Sequence, residues 1–181
     1  CITGEYAPTS PKHKTSPSIH HCEFVCEDFF DYYRKKRFDL IINDNVLEHI
    51  HPDDVDVFLK KCHSLLNPGG CLLTYTPNAM TGPHDVSKYF LPKGSITQGL
   101  HLKEYTFAQI TRKLKMAGFE NINTWPFGPK VSALFGIYMP SRFWYYKSLA
   151  LEHIFEHFPT VIRCNRVINT LISNFLLCTK P

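Results

Sequence analysis

The sequence contains no apolar run long enough to cross a bilayer and no block of like charges. Its longest uncharged stretch near the carboxyl end, Val167 to Thr179, has 13 residues, whereas a spanning helix needs about 20. The 20 Lys and Arg residues are scattered and the formal net charge is +4, which does not indicate a nucleic-acid-binding surface. We therefore expect neither a membrane span nor a nucleic-acid partner.

Paired cysteine spacings are also missing, although the chain has seven cysteines. An odd count without a disulfide pattern, and without a recognisable secretion signal, predicts reduced thiols in the cytoplasm. Two clusters combine histidine with other potential ligands, one around His49 and His51 and one from His20 to Cys26. Neither cluster has the spacing of a zinc site, so we predict no metal.

The composition of the 181-residue chain is that of an ordinary globular domain. Apolar residues make up 44% of the chain and charged residues 20%. Phe38 to Ile42 is apolar on both faces after Asp39, which is typical of a central parallel strand covered by helices on both sides. Apolar residues then recur at helical spacing after Pro52. The sequence Asn67-Pro68-Gly69-Gly70 predicts the end of this helix, and Cys71 to Thr76 predicts the next strand.

The remaining segments continue the alternation of strands and helices. Strands are predicted at Cys1–Tyr6, Cys22–Cys26, Phe119–Trp125 and Asn174–Cys178, and a helix capped by Thr106 is predicted at Phe107–Met116. This order predicts an α/β fold with a mostly parallel sheet. Ligands of such sheets bind beyond the carboxyl ends of the strands.

Two acids at predicted strand ends have the chemistry to hold a nucleoside. Glu5 ends the first predicted strand, and its carboxylate would accept hydrogen bonds from the two hydroxyl groups of a ribose. Asp28 follows the next strand and would accept from the exocyclic amine of an adenine, with Phe29 against the ring. The alternative is that each acid is solvated or caps a helix.

The stretch from Phe38 to Asn78 resembles class I S-adenosylmethionine-dependent methyltransferases. FDLIINDNVLEH is similar to the fourth strand of that family and the turn after it, and LLNPGGCLLTYTPN is similar to the helix end, turn and fifth strand. HLKEYTFAQITRKLKMAGFENI resembles the family's next helix and sixth strand, and ISNFLLCTKP resembles the antiparallel seventh strand. CITGEYAP and CEFVCEDFFDY resemble the second and third strands more weakly.

The resemblance implies a Rossmann-like sheet, the cofactor S-adenosyl-L-methionine and a small-molecule methyl acceptor. Carried over by position, Glu5 would hold the ribose, and Asp28 and Phe29 would frame the adenine. Asn43 and Asp44 would lie near the methionine part and the methyl group. The enzyme's task would be mainly to position and desolvate the acceptor.

His49 is the residue that the resemblance places beyond the methyl end of the cofactor. We predict a catalytic role for it, as a general base or as a group that orients the acceptor, since a neutral imidazole can act near pH 7. The alternative is a histidine that fastens the loop to the next helix. His84, Asp85 and His101 lie in the long loop after the fifth strand, where substrate contacts are common.

The sequence departs from the family at its amino end. No glycine-rich loop after a first strand is present, and the first residue is Cys1 rather than Met. We therefore expect an N-terminally incomplete methyltransferase domain spanning residues 1–181, or a catalytically inactive fragment or binding module. A nicotinamide-dependent dehydrogenase on a similar sheet fits less well. We also expect the strands Cys1–Tyr6 and Phe38–Ile42 either to pair directly or to promote self-association.

One aromatic-rich segment matches no motif of the family. Residues 131–170 are predicted to be helical, with breaks at Pro140 and Pro159, and to form a cap or insertion. The part from 131 to 158 carries both aromatic side chains and charges. It could cover the sheet, form a lid over an apolar acceptor, or make a peripheral contact with a partner or a lipid surface.

Overall fold

The computed structural model describes residues 25–33 and 36–181. These residues belong to two units, which we describe separately. In the first, a single 3-10 turn at Phe29–Asp31 follows Asp28. Val25 and Cys26 lie outside any strand, and the rest of the predicted strand at Cys22–Cys26 lies outside the described residues, as does the one at Cys1–Tyr6.

The second unit contains a four-stranded sheet. Its strands are β1 (Phe38–Asp44), β2 (Leu66–Thr76), β3 (Glu120–Thr124) and β4 (Asn174–Thr179), in the spatial order β1-β2-β4-β3. β1 and β2 are parallel, whereas β4 is antiparallel to both of its neighbours. Three of the four strands therefore run in one direction, and the predicted α/β class with an antiparallel last strand is confirmed.

β2 begins earlier than the sequence predicts. Asn67 to Gly70 still end the preceding helix, but they lie within the ladder as an irregularity between the pairs Phe38–Leu66 and Leu40–Cys71. Gly69 adopts a φ of 77° there, a backbone conformation that glycine reaches without steric cost.

β1 differs from the predicted central strand with two covered faces. Leu40 is 49% exposed and Ile42 is 64% exposed. Among the residues that the structure describes, β2 is the only strand paired with β1, and helix α1 (Val55–Leu65) packs mainly against β2 and the next helix. The apolar face of β1 is consequently left open.

The helices follow the predicted pattern closely. α1 buries Val55, Phe58, Leu59, Cys62 and Leu65 on one face. Helix α2 (Phe107–Met116) begins with a capping box in which Thr106 and Gln109 bond each other's backbone. Gly118 then takes a φ of 95° and ends the helix.

The segment without a family motif is helical in four pieces. These are α3 (Pro129–Leu134), α4 (Arg142–Glu156), α5 (Thr160–Arg163) and α6 (Arg166–Leu171), with breaks at Pro140 and Pro159 as expected. α4 packs against β3 and α2. No helix in the described part of the chain has both the length and the hydropathy to cross a membrane.

Candidate functional site at the strand ends

A pocket of about 570 Å³ lies where β1 and β2 end and β4 begins. This is the edge of the sheet at which α/β proteins bind their ligands. The lining comes from the ends of β1 and β2, the start of β4, the first turn of α3, the end of α6 and the loop after β2. The lining residues include Asp44, Asn45, Tyr75, Thr76, Asn78, His84, Lys130, Asn169 and Asn174.

Two buried asparagines form part of the pocket wall. Asn78 donates through Nδ2 to Asn174 Oδ1 at 3.0 Å and accepts from Met80 N at 2.9 Å. Asn174 in turn donates through Nδ2 to the carbonyl of Tyr105 at 2.7 Å. Because these amide groups are already engaged within the protein, they shape the pocket and hold its wall rigid.

Asn43, predicted to face the cofactor, differs from that pair. It lies near the end of β1, is 2% exposed, and neither its Nδ2 nor its Oδ1 has a hydrogen-bond partner within the described residues. Its neighbour on β2, Thr74, is also buried with an unpartnered Oγ1. Unpartnered buried polar atoms are costly. Neither Asn43 nor Thr74 is among the residues that line the pocket, so a role of Asn43 toward the cofactor stays a prediction.

Asp44 is the second predicted residue at this strand end, and it lines the pocket. Its Oδ1 accepts from the Nδ2 of Asn45 at 2.8 Å. Asn45 itself has a φ of 51° and donates its backbone N–H to the carbonyl of Tyr75 at 2.9 Å. The turn after β1 is thus bound to β2, which holds the Asp44 carboxylate beside the pocket.

The predicted nucleoside contacts lie elsewhere in the chain. Glu5 lies outside the described residues. Asp28 is described, and its carboxylate caps the short 3-10 turn by accepting from Phe30 N at 2.8 Å. Phe29 is the first residue of that turn and stands edge-on to the Phe30 ring. The helix-cap alternative for Asp28 is therefore seen in the structure, while its role toward an adenine stays a prediction.

His49, the predicted catalytic residue, is in a 3-10 turn at Leu47–His49. It does not line the pocket directly. Its neighbour Glu48 is fully buried and accepts from Thr76 Oγ1 at 2.8 Å, and Thr76 does line the pocket. The Nδ1 atom of His49 lies 3.1 Å from the carbonyl oxygen of Leu100, so the imidazole is bound to the long loop after β2.

That loop contains a polar network of which the sequence analysis named His84, Asp85 and His101 but not Glu104. Glu104 is buried, and its carboxylate lies between two histidines. Oε2 is 3.0 Å from His84 Nδ1, Oε1 is 2.8 Å from His101 Nδ1, and Oε1 also accepts from His84 N at 2.8 Å. Desolvation raises the pKa of Glu104, but the hydrogen bonds from His84 and His101 outweigh it and hold the pKa below its usual value.

Asp85 organises the same loop from the other side. Its Oδ2 accepts from the backbone N–H groups of Gly99 at 3.0 Å and His101 at 3.2 Å. Desolvation raises its pKa, but the hydrogen bonds from Ser87 and His101 prevail and lower the pKa to about 2. A side chain at Gly99 would collide with this carboxylate, so glycine permits the close approach.

The spacing H-x-x-E at His101 and Glu104 is the only local signal for this network, and such spacings are common on loops. The partner residues are far away in sequence, since His84 lies 20 residues and Glu48 more than 50 residues before Glu104. Only the tertiary fold brings them together.

Comparison with known proteins identifies the family. A family model described as a methyltransferase domain matches residues 7–124, which is more than half of the chain. A protein of Mycolicibacterium smegmatis named "Probable S-adenosylmethionine-dependent methyltransferase" is 34% identical over 83 residues, which are 45% of this chain and 28% of that protein. A ubiquinone biosynthesis O-methyltransferase of Chelativorans sp. is 35% identical over 72 residues, 35% of this chain and 27% of that protein. The matches thus span less than a third of the length of these curated relatives.

Solved structures of methyltransferases are similar to this chain at low identity. An S-adenosylmethionine-dependent methyltransferase from Archaeoglobus fulgidus is 17% identical with a TM-score of 0.47, over 86% of this chain and 66% of that one. Phosphoethanolamine N-methyltransferase 2 from Haemonchus contortus, in complex with S-adenosyl-L-methionine, is 17% identical with a TM-score of 0.47, over 85% of this chain and 36% of that one.

The family model includes the whole stretch from Phe38 to Asn78 and the segment from His101 to Ile122, whose sequences resemble class I methyltransferases, and that resemblance is confirmed. The sheet order, with an antiparallel last strand beside β2, agrees with it. This chain belongs to the methyltransferase domain family.

Proposed function

We propose that the chain is part of an S-adenosylmethionine-dependent methyltransferase that acts on a small-molecule acceptor. The observation that carries the proposal is the pocket of about 570 Å³ at the carboxyl ends of β1 and β2 in a chain of this family. Its volume lies within the range of about 300–1,000 Å³ that is usual for small-molecule sites.

The cofactor would supply a methyl group on a positively charged sulfonium, which is electrophilic without further activation. The protein has to hold it and exclude water. We assign the amino-acid end of the cofactor to Asn43 and Asp44. The unpartnered amide of Asn43 can donate to a carboxylate and accept from an ammonium group. The Asp44 carboxylate can accept from an ammonium group as well. We retain Glu5, Asp28 and Phe29 for the ribose and adenine.

The acceptor would occupy the part of the pocket formed by the loop after β2 and by α6. His84 reaches this wall with its Nδ1 bound to Glu104 and its Nε2 3.2 Å from Thr81 Oγ1. Thr81 also donates to Asn169 Oδ1 at 2.9 Å. We retain His49 as the proposed catalytic residue, acting as a general base or as a group that orients the acceptor. It does not line the pocket, but its neighbour Glu48 accepts a hydrogen bond from the pocket residue Thr76.

The test is binding of S-adenosylhomocysteine to the chain by titration calorimetry, with Asn43→Leu as the diagnostic variant. Removing the amide should weaken binding at least about tenfold, equivalent to one lost polar contact of about 1.4 kcal/mol. Asn123→Leu, the same replacement on β3 away from the pocket, should leave the affinity within about twofold. Equal affinity of Asn43→Leu and the unaltered chain would refute the assignment of Asn43.

A binding module or inactive fragment is the alternative, and the same sample distinguishes it. Transfer of a labelled methyl group from S-adenosylmethionine to a component of a cell extract would support the enzyme. Cofactor binding without transfer would support a binding module, and no binding at all would support an inactive fragment.

We also propose a cytoplasmic location, which the five free cysteines of the described residues favour.

A second proposed property is peripheral contact with an anionic lipid surface through an apolar patch on α3, α4 and the turn between them. The patch comprises exposed Leu134, Phe135, Tyr138, Met139, Phe143 and Tyr146. Exposed Arg142 is the first residue of α4, beside these side chains, and a cation at this place suits anionic lipid.

Co-sedimentation with vesicles tests the patch. Phe143→Ser combined with Tyr146→Ser should reduce binding to phosphatidylglycerol vesicles severalfold, because it removes two exposed aromatic anchors. Val57→Ser, which alters an exposed apolar side chain on α1, should have no effect. Binding that is absent in the unaltered chain, or unchanged in the double variant, would exclude the contact.

A further inference from the structure

Three side chains from two segments that are distant in sequence lie close together in the second unit. Glu48, His49 and His101 each offer one potential ligand atom, and these three atoms lie within 4.8 Å of one another. The two imidazole rings are 5.0 Å apart between centroids and nearly perpendicular, at 79°. Two imidazoles and one carboxylate form a donor set that zinc and other first-row divalent metals bind well.

Both histidines are oriented so that the same ring nitrogen is left for a ligand. The Nδ1 of His49 lies 3.1 Å from the carbonyl oxygen of Leu100, and the Nδ1 of His101 lies 2.8 Å from Glu104 Oε1. Each acceptor requires a proton on Nδ1, which leaves the lone pair of Nε2 available. Within the described residues, neither Nε2 atom has a hydrogen-bond partner. A backbone carbonyl or carboxylate on the second nitrogen is the usual support of a metal-binding histidine.

Glu48 adds an independent observation. Its side chain is fully buried, Oε2 accepts from Thr76 Oγ1 at 2.8 Å, and Oε1 has no partner among the described residues. A buried carboxylate oxygen without a donor costs free energy. A cation at the meeting point of the three side chains would satisfy it.

The backbone fixes the distance between the two histidine segments. The carbonyl oxygen of Glu48 accepts from Leu102 N at 2.8 Å and from Lys103 N at 3.2 Å. These two bonds attach the loop around His101 to the turn at Leu47–His49. The relative placement of the donors is therefore built into the chain and does not depend on a ligand.

We propose that Glu48, His49 and His101 bind one divalent transition-metal ion, with Zn²⁺ as the best match to the donors, at a site linked to the pocket by the hydrogen bond from Thr76 to Glu48. Ligand atoms at about 2.0–2.2 Å from a tetrahedral ion lie roughly 3.4 Å apart, so side-chain rotations that bring the ligand atoms closer by up to about 1.4 Å complete the site. Three protein ligands leave a fourth position open, as in catalytic zinc sites. This replaces the prediction of no metal made from sequence spacing, and it does not depend on the proposed methyl transfer.

The primary experiment titrates Zn²⁺ into the metal-free chain by calorimetry, with variants at each ligand. We expect one ion per chain and at least about a tenfold loss of affinity in His49→Ala and in His101→Ala, the usual size of such effects. His51→Ala is the matched control, because His51 lies two residues from His49 and is exposed, with only Asp53 beside it at 3.7 Å. Absence of binding, or equal binding by all variants, would overturn the proposal.

A second measurement needs only the unaltered chain, so that misfolding of a variant cannot obscure the result. Diethylpyrocarbonate modifies accessible imidazole nitrogen, and the modified positions can be mapped by mass spectrometry. Zn²⁺ should protect His49 and His101 and leave the exposed His51 and His153 reactive. Protection of neither His49 nor His101 at saturating Zn²⁺ would contradict the proposed ligands. Cofactor binding, measured separately, would be unaffected by that outcome.

Discussion

Glu104 shows how a single buried carboxylate can organise a long loop. Its two oxygens receive hydrogen bonds from His84 and His101, and the side chain is in close contact with Gly82, where a Cβ atom would collide with Oε2. The lowered pKa of Glu104 means that the charged form is favoured by its partners despite burial. The loop after β2 therefore depends on one ionised group at its centre.

Replacing Glu104 with glutamine should destabilise the chain and weaken the proposed metal site together. Gln offers one acceptor oxygen instead of two, so a histidine loses its partner. We expect the free energy of unfolding in urea to fall by about 1–3 kcal/mol and Zn²⁺ affinity to fall about tenfold or more. Glu120→Gln, at an exposed position at the start of β3, is the control. A Glu104→Gln chain with unchanged stability would show that the network contributes little.

We expect the cysteines to differ strongly in their reactivity toward an alkylating reagent. Burial raises the pKa of Cys62 to about 12, and burial together with the neighbouring Cys71 and Cys62 raises the pKa of Cys178 above its usual range. Because the thiolate is the reactive form, iodoacetamide in mildly alkaline buffer should modify exposed Cys26 and spare Cys62 and Cys178. Peptide mapping before and after unfolding in urea measures this. Early modification of Cys178 would indicate a loosely packed β4.

The helix α4 is joined to the rest of the second unit by an unusual cap. Its buried Glu152 accepts from Phe107 N at 2.6 Å and from Ala108 N at 2.7 Å, the first two backbone donors of α2. Asn78 Nδ2 also lies 3.3 Å from Glu152 Oε1. A carboxylate at a helix N-terminus is favoured both by these donors and by the helix dipole. The aromatic-rich segment thereby supports a pocket residue as well as α2.

Glu152→Gln should consequently be one of the most destabilising conservative changes in α4. The variant loses a charge-assisted pair of hydrogen bonds, each typically about 1.5–3 kcal/mol, although Gln retains one acceptor. We expect a loss of about 1–3 kcal/mol in the free energy of unfolding. Glu156→Gln, one turn later and exposed near His153, should change it by less than about 0.5 kcal/mol. Similar melting temperatures for both variants would rule out this capping role.

In the described part of the second unit, β1 and β3 are the two edge strands of the sheet. β1 has a ladder partner on one side only within the described residues, and Leu40 and Ile42 on its face are exposed. Unpaired strand edges with apolar side chains pair readily with a strand of another molecule. We expect the 181-residue chain to self-associate through β1 as its concentration rises.

Ile42→Lys should shift that equilibrium toward the monomer, because a charge on an edge strand opposes pairing between copies. Size-exclusion chromatography over a concentration series measures the effect. Val57→Lys, which alters an exposed apolar residue of α1, controls for a general gain in solubility. Identical elution of the unaltered chain at all concentrations as a monomer would contradict the expectation.

Most elements of the second unit were predictable because their signals are local. The helical spacing from Val55 to Leu65, the Thr106 cap with Gln109 three residues later, and the apolar strands β1 and β2 each depend on residues close together in sequence. The family resemblance from Phe38 to Asn78 depends on the same contiguous stretch. The position of the pocket followed as well, since ligands of a parallel sheet bind beyond its strand ends.

The contacts that organise the site could not be predicted in that way. Glu48 and His101, or Phe107 and Glu152, are separated by more than 40 residues in sequence and meet only through backbone pairing of loops and packing of α4 on α2. The sequence by itself determined the α/β class, the order of strands and helices, and the family, because these depend on periodicity and local turns. The tertiary structure decided which polar atoms are buried without partners and which histidines face each other, because burial and long-range hydrogen bonds exist only in the folded chain.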